Sequence, residues 1–596
     1  MEIAKVREMW TMQLAKWLEP HMDKAPWPGI DDPAVRRGAC RYLKQSGGWQ
    51  RMGESLSQPP ALRPVLHHWL SMGRNSPQEG LLREYVEYLD LIALAAWTRH
   101  PGLRLADVQD LLWLLTEIDS WVPVSHQYCA VDLVSSRFAA VLSEVLYLLD
   151  DQLDAEVKRR VGDTIEARVL RPALDCRSGD GWWTARMNWN SVCNTNVLST
   201  ALYRVGGYEL SNIVHTLVQR LLYSLEGFSD DGGCLEGTAY WQYGFGHYVD
   251  AAIMLHHRTG GKLNLMAVPK IERICRFPLV TQMGGGMRAP FCDDAGQGYI
   301  APDLPLKINR FYPIPELYAI SSRDADGRLA VASPRFSGST PSHLVHSLLF
   351  YRGEKAGAFD AAMDCFLPDM GLAKVVNGPP EHRAVLVALS GSNDVPHNHN
   401  DVGTFVYFRD GHAWLTDPGG PVYTDKTFGP QRYEILECRT LGHSCPIVNG
   451  HEQKPGAEYR GEIRVAQTDA QGAKRVYIDM RRAYPDPTLQ VLERALTLGK
   501  DGSLRIEDTF AFSAIPKTIE EGFITHEKVS LLKSGSAVRI GGREGVTLRA
   551  VDGCDGTFSI EDRTHETEPR KTPIRRIIFT PAKRSRNMRL TFIVGE

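Results

Sequence analysis

Several things are missing from this sequence, and each absence closes off a class of protein. No apolar run approaches the about 18 uncharged residues that a membrane-crossing helix needs. No sign of charge dominates: 68 Lys and Arg against 71 Asp and Glu leave a net charge of -3. A chain so balanced has no global attraction to nucleic acid or to an anionic membrane, so a polyanionic ligand would have to be held by local cations. The 11 cysteines are odd in number and never spaced as CxxC, which fits reduced, buried thiols better than a disulfide framework. The first twenty residues, MEIAKVREMWTMQLAKWLEP, carry charges inside their first apolar stretch and show no secretory signal. The expected location is cytoplasmic as given, and periplasmic or secreted if the chain is a processed or trimmed form. No repeat of fixed period is found, which argues against a regular solenoid and leaves an irregular α/α toroid allowed.

What is present is length and order. A chain of 596 residues exceeds the roughly 250 to 300 that one core can serve, so two large domains are expected. With 43% hydrophobic and 23% charged residues it should fold throughout. From about 80 to 350 the apolar spacing is helical, as in EYVEYLDLIALAAW (84–97) and SSRFAAVLSEVLYLLDDQL (135–153). Glycine and proline turns such as HPG (100–102) and RVGG (204–207) separate these stretches as in antiparallel helix pairs. After about 365 the pattern shifts to short alternating runs, GTFVYF (403–408), SLRIEDTFAF (503–512) and MRLTFIVG (588–595) among them. The predicted class is α+β and multidomain. An N-terminal α/α toroid over 1–355 is followed by an antiparallel β-sandwich over 356–596, with a cleft as the default site.

Three segments carry chemistry. In PHNHNDVGTFVYFRDGHAWLTDPGG (396–420), His397 and His399 alternate before a strand and so share a face in extended chain. His399, Asp417 and the later His443 make a plausible two-imidazole, one-carboxylate set of a kind zinc accepts, with manganese a substitute. In FSDDGGCLEGTAYWQYGFGHY (228–248), Tyr240 and Tyr243 lie three apart and share a face if a helix begins there, close to Glu236 and Trp241. In MNWNSVCNTNVLSTALYRVGG (187–207), Asn188, Asn190, Asn194 and Asn196 surround Trp189. Amides so dense need partners, and Asn194 or Asn196 could simply cap the apolar helix that follows.

On these residues the sequence resembles the heparinase II/III-like polysaccharide lyases, through NWNSVCN, EGTAYWQYG and above all HNHNDVGTF, LTDPGG, RYE and LGHS in that order. The matching motifs span about 180 to 450. The resemblance implies Tyr240 and His397 as catalytic residues, an amide from Asn188 or Asn190 at the substrate carboxylate, and one divalent metal held by His399, Asp417 and His443. One departure is that many relatives place a histidine beside that asparagine, where this chain has Trp189.

The implied reaction is β-elimination on a uronate. The C5 proton is removed and the O4 oxygen leaves, and an Asn amide on the carboxylate stabilises the enolate-like charge by roughly 3 kcal/mol. Tyr240 and His397 would share the base and acid steps. Trp189, Trp241 and Tyr243 offer sugar contacts, with Trp182 and Trp183 as further stacking candidates and Glu236 beside them. Arg432, next to Tyr433, could clamp a carboxylate or sulfate bidentately. The expected partner is an anionic polysaccharide or oligosaccharide, a glycosaminoglycan first and alginate next, acted on by a monomer or homodimer. Two rivals are a toroid-borne glycoside hydrolase, with a carboxylate pair drawn from Asp230, Asp231, Glu236, Asp293 and Asp294, and a non-catalytic carbohydrate-binding protein. A zinc hydrolase is disfavoured by the lack of HExxH.

Overall fold

A computed structural model describes residues 6, 8–9, 11–60, 77–126, 128–175, 181–296, 298–331, 344–361, 363–466, 468–532, 535–551, 553–567 and 572–595. The chain divides into two compact units. One comprises Met1–Gly227, Tyr240–Cys275 and Ile300–Ala358; the other comprises Phe228–Ala239, Arg276–Tyr299 and Phe359–Glu596. Two short stretches in the helical half of the sequence therefore pack with the β unit.

The first unit is helical, an α/α toroid. Its main helices are α1 (Pro77–Thr98), α2 (Leu105–Glu117), α3 (Leu133–Leu148), α4 (Ala155–Ile165), α5 (Asn188–Arg204), α6 (Gly207–Ser224) and α7 (Gly246–Arg258). Asp132 caps α3, taking the Ser135 amide while the Ser135 hydroxyl accepts from the Asp132 amide, a reciprocal capping box. Helix α5 is an inner helix, buried at every position from Asn190 to Leu202. Its polar residues are accommodated by bonding to one another and to neighbours. Asn194 Nδ2 donates to Asn190 O, Thr200 Oγ1 to Asn196 O, and Asn196 Nδ2 to Ser136 Oγ on α3. Asn194 and Asn196 are thus interior helical residues, and the helix begins at Asn188, six residues before the first of the two possible caps. No helix among the described residues is long and apolar enough to cross a membrane.

The second unit is an antiparallel β-sandwich. One sheet has five strands in order, β1 (Cys365–Leu367), β2 (Leu372–Asn377), β3 (Ala384–Leu389), β4 (Phe405–Arg409) and β5 (His412–Leu415). An eight-stranded sheet runs Glu462–Val465, Lys474–Asp479, Leu489–Leu498, Leu504–Phe512, Asn587–Gly595, Val546–Ala550, Ala537–Ile540, Val529–Leu531. Alternation sends Ala373, Val375, Leu386, Phe405 and Tyr407 of the first sheet into one apolar core with Val476, Leu492, Ile506 and Phe592 of the second. Inside this core Arg494 is fully buried and paired with Asp508 at 2.6 Å. Its Nη1 donates to the backbone oxygens of Gly403 and Ser444, so one guanidinium ties down the segments that follow His399 and His443.

Candidate active site

In the β unit, residues 396–400 form a turn rather than a strand, and His397 adopts a left-handed backbone with φ 59°. A non-glycine residue in that region carries strain that the surroundings must hold. The holding group is Asp293. A carboxylate only accepts, so the ring nitrogens donate: His397 Nδ1 to Oδ2 at 2.6 Å and His399 Nε2 to Oδ1 at 2.9 Å. Tyr423 Oη adds a bond to Oδ2 at 3.0 Å, and Arg432 Nη2 one to Oδ1 at 2.8 Å. Burial alone would raise the Asp293 carboxyl, but the bonds from His397 and His399 outweigh it and hold the group well below the usual carboxylate range.

His397 Nδ1 is committed to Asp293, and its Nε2 lies 3.3 Å from the Glu236 carboxylate. Phe428, about half exposed, meets the imidazole edge-on at 5.6 Å. The two histidines, expected on one face of an extended chain, instead lie in a turn and converge on a carboxylate supplied from residue 293. The DPGG motif explains the approach. A Cβ on Gly419 would sit 2.3 Å from Asp294 O, and one on Gly420 2.6 Å from the Asp293 Cα, so only glycine lets that loop lie against 293–294.

Residues expected to touch a ligand separate into those that face the site and those that do not. Arg432 is spent internally: Nε donates to Asn398 O, Nη1 to Thr427 O and Nη2 to Asp293. It braces the histidine loop and has no bidentate face left for a sulfate, which corrects the clamp expected of it. Tyr433 is half-buried, its hydroxyl accepting from Asn398 Nδ2 at 3.0 Å. Glu236 is buried against His397 rather than offered to solvent. The hydrolase carboxylates are likewise engaged: Asp294 holds Arg288 through two bonds, and Asp231 accepts from Ser229 and from the Asp369 amide.

In the helical unit, Asn188 is the first residue of α5, behind a π-helical turn at Trp241–Phe245 of the kind concentrated at functional sites. Gly244 permits this, since a Cβ there would sit 2.9 Å from the Asn188 Cβ. Tyr240 is half-buried at the start of that turn. Trp189 is half-buried and edge-on to His126, whose Nδ1 is held by Asp132 at 2.8 Å. Tyr243 is half-buried with its ring edge-on to His247, and burial pushes its phenol up. Trp241 is fully buried with its indole N–H on Ile274 O, and Asn190 is fully buried with its amide on Trp183 O. Both belong to the helical core, which corrects their expected contact with a ligand. Trp182 and Trp183 are buried as well.

His399, Asp417 and His443 each present a ligand atom within 4.8 Å of the others, and all three are buried. Their outer contacts suit a metal. His399 Nε2 donates to Asp293, leaving a buried Nδ1 with no hydrogen-bond partner among the described residues. His443 Nε2 donates to Glu437 O at 2.9 Å, turning Nδ1 toward Asp417 Oδ2 at 2.7 Å. Metal-binding imidazoles commonly show this division, one nitrogen anchored by a carboxylate or carbonyl and the other free for the ion. Burial would lower the His443 pKa, but Asp417 raises it to about 9. Asp401, buried nearby, is pushed up to about 7 by desolvation. A second set, Asp293, His399 and Cys438, shares His399. Sequence reasoning missed Asp293 as the hub, along with Tyr423, Phe428, Asp401 and Cys438.

Fold and site together define a helical toroid joined to a β-sandwich that holds a carboxylate-oriented histidine beside a candidate metal trio. Residues 362–592 match the model of the heparinase II/III-like C-terminal family. A heparinase III gene product with methylated lysines is similar over 98% of this chain and 88% of its own, at 12% identity and a TM-score of 0.63. Heparan sulfate lyase HepC from Pedobacter heparinus is similar over 98% of this chain and 87% of its own, at 12% identity and a TM-score of 0.57. A Paenibacillus xanthan lyase is similar over 99% of this chain and 60% of its own, at 9% identity and a TM-score of 0.51. A comparison with curated proteins gave no match.

Proposed function

We propose that this protein cleaves a uronate-containing polysaccharide by β-elimination, leaving an unsaturated uronate at the new non-reducing end. The observation that carries the reading is the Asp293–His397 pair at 2.6 Å. It fixes the tautomer of His397 and leaves Nε2 to move a proton, and a proton taken up there would lie between the Asp293 and Glu236 carboxylates.

Tyr240 is the partner in proton transfer. Taking the C5 proton and protonating the departing O4 are divided between Tyr240 and His397. Asn188, the first residue of α5, neutralises the substrate carboxylate through its side-chain amide. Trp189 and Phe428, both partly exposed, contact sugar rings.

A divalent ion, with zinc the expected one, would be held by His399, Asp417 and His443. When bound it supplies fixed positive charge that organises the loop bearing His397; the proton transfers belong to side chains of the chain itself. Among substrates, glycosaminoglycans of the heparan type come first and alginate second, since two similar solved structures are named as a heparinase III and a heparan sulfate lyase. Ultraviolet absorbance of the unsaturated uronate, followed on heparan sulfate, chondroitin sulfate, hyaluronan and alginate, tests the reading. New reducing ends without absorbance would replace it with hydrolysis.

A further inference from the structure

Outside the site, the β unit buries a lysine for which the proposed chemistry has no use. Lys374 lies on β2, fully buried, and its Nζ has no hydrogen-bond partner among the described residues. An ammonium in that position is costly, so burial favours the neutral amine. In the register of the hairpin, Lys374 stands directly opposite Cys365 on the edge strand β1, so the two side chains leave the same face of the sheet. Cys365 is half-buried, and among the described residues its thiol's hydrogen-bond contact is a long one, 3.8 Å to the Met363 carbonyl. We propose that Cys365 and Lys374 form an oxidation-dependent covalent cross-link, a sulfenamide between Sγ and Nζ.

The chemistry balances in two steps with a peroxide as oxidant. The thiol takes one oxygen from hydrogen peroxide to give the sulfenic acid and one water, sulfur being oxidised and the peroxide reduced. The Lys374 amine then attacks the sulfenic sulfur. An S–N bond forms, the S–O bond breaks, and the hydroxyl leaves with an amine proton as a second water. Overall the two side chains lose two hydrogens. The second step needs a neutral amine, and burial drives the Lys374 pKa down to about 8. Burial also pushes the Cys365 thiol up, with Lys374 pulling it back, so the first step is the slow one and quickens as pH rises.

The test is peptide mass spectrometry on the full chain, treated with hydrogen peroxide near pH 8 and digested without reductant. The expected product joins the Cys365 and Lys374 peptides at a mass about 2 Da below their sum, disappears on thiol reduction, and is absent from Lys374→Met and Cys365→Ser. In Lys374→Met the Cys365 sulfenic acid should instead be captured by a dimedone-type trap. The same trap added to wild-type protein should suppress the cross-link, which gives a result independent of how well the variant folds. Trapped or over-oxidised Cys365 in the wild type without any joined peptide would overturn the proposal. So would a Cys365 that stays reduced while the half-buried Cys40 and Cys554 oxidise.

Discussion

The Asp293 carboxylate binds His397 through one oxygen at 2.6 Å and His399 through the other at 2.9 Å. One side chain thereby sets both the proposed catalytic imidazole and a proposed metal ligand. Asp293→Asn keeps the volume but replaces an acceptor with an amide, which can turn either ring. Turnover should fall by about 10²- to 10⁴-fold, and metal affinity by about 10- to 100-fold. Kinetics together with metal content per chain check this. A loss of turnover with metal fully retained would mean that Asp293 serves only His397.

His399, Asp417 and His443 should hold one divalent ion per chain. Elemental analysis of purified protein is expected to find it, and His443→Ala to lose it. Because an ion that binds only the folded chain adds stability by mass action, chelation should lower the Tm of the wild type and leave that of His443→Ala unchanged. Equal shifts in both would place the ion elsewhere.

Arg432 gives all three guanidinium nitrogens to Asn398, Thr427 and Asp293. Arg432→Ala should therefore act on folding, costing about 3 kcal/mol by leaving a buried carboxylate short of its cation. Urea denaturation measures that loss. A raised KM at unchanged stability would instead restore Arg432 as a substrate clamp.

Lys374 carries its own pH signature. Desolvation takes its pKa from 10.5 to about 8. Between those values the unfolded chain binds the proton and the folded chain does not, so wild-type stability rises with pH through that window. Lys374→Met removes the penalty. It should be the more stable protein below pH 8, by up to about 3 kcal/mol from the 1.36 kcal/mol carried by each pKa unit. That advantage should fade as pH approaches 10.5. Denaturation at pH 7 and pH 10 tests it, and an advantage of the same size at both would sever the link to titration.

Much of this architecture is legible in the sequence because it rests on local period. The change from helical to alternating spacing near residue 365 marks the β unit, and GTFVYF leads into β4, whose Phe405 and Tyr407 enter the core. The clustering of His399, Asp417 and His443 was legible too, since all three fall within one motif-rich stretch. Asp293 was not. It lies 104 residues before His397, and its segment, FCDDAGQG, carries nothing to separate a hub from a surface acid. The two glycines of DPGG were the one hint, because paired glycines mark a close backbone approach without naming what approaches. Arg432 and Trp241 were misjudged for a shared reason. A side chain able to grip a ligand is equally able to grip its own fold, and only burial tells the two apart.

The most direct measurement of the central claim is the ultraviolet assay of wild-type protein and of Tyr240→Phe on the four uronate polymers, with and without chelator. The account predicts rising absorbance on at least one polymer, reduced at least about 10²-fold by Tyr240→Phe while the variant keeps the wild-type Tm. New reducing ends without absorbance, or a Tyr240→Phe variant as fast as the wild type, would contradict it.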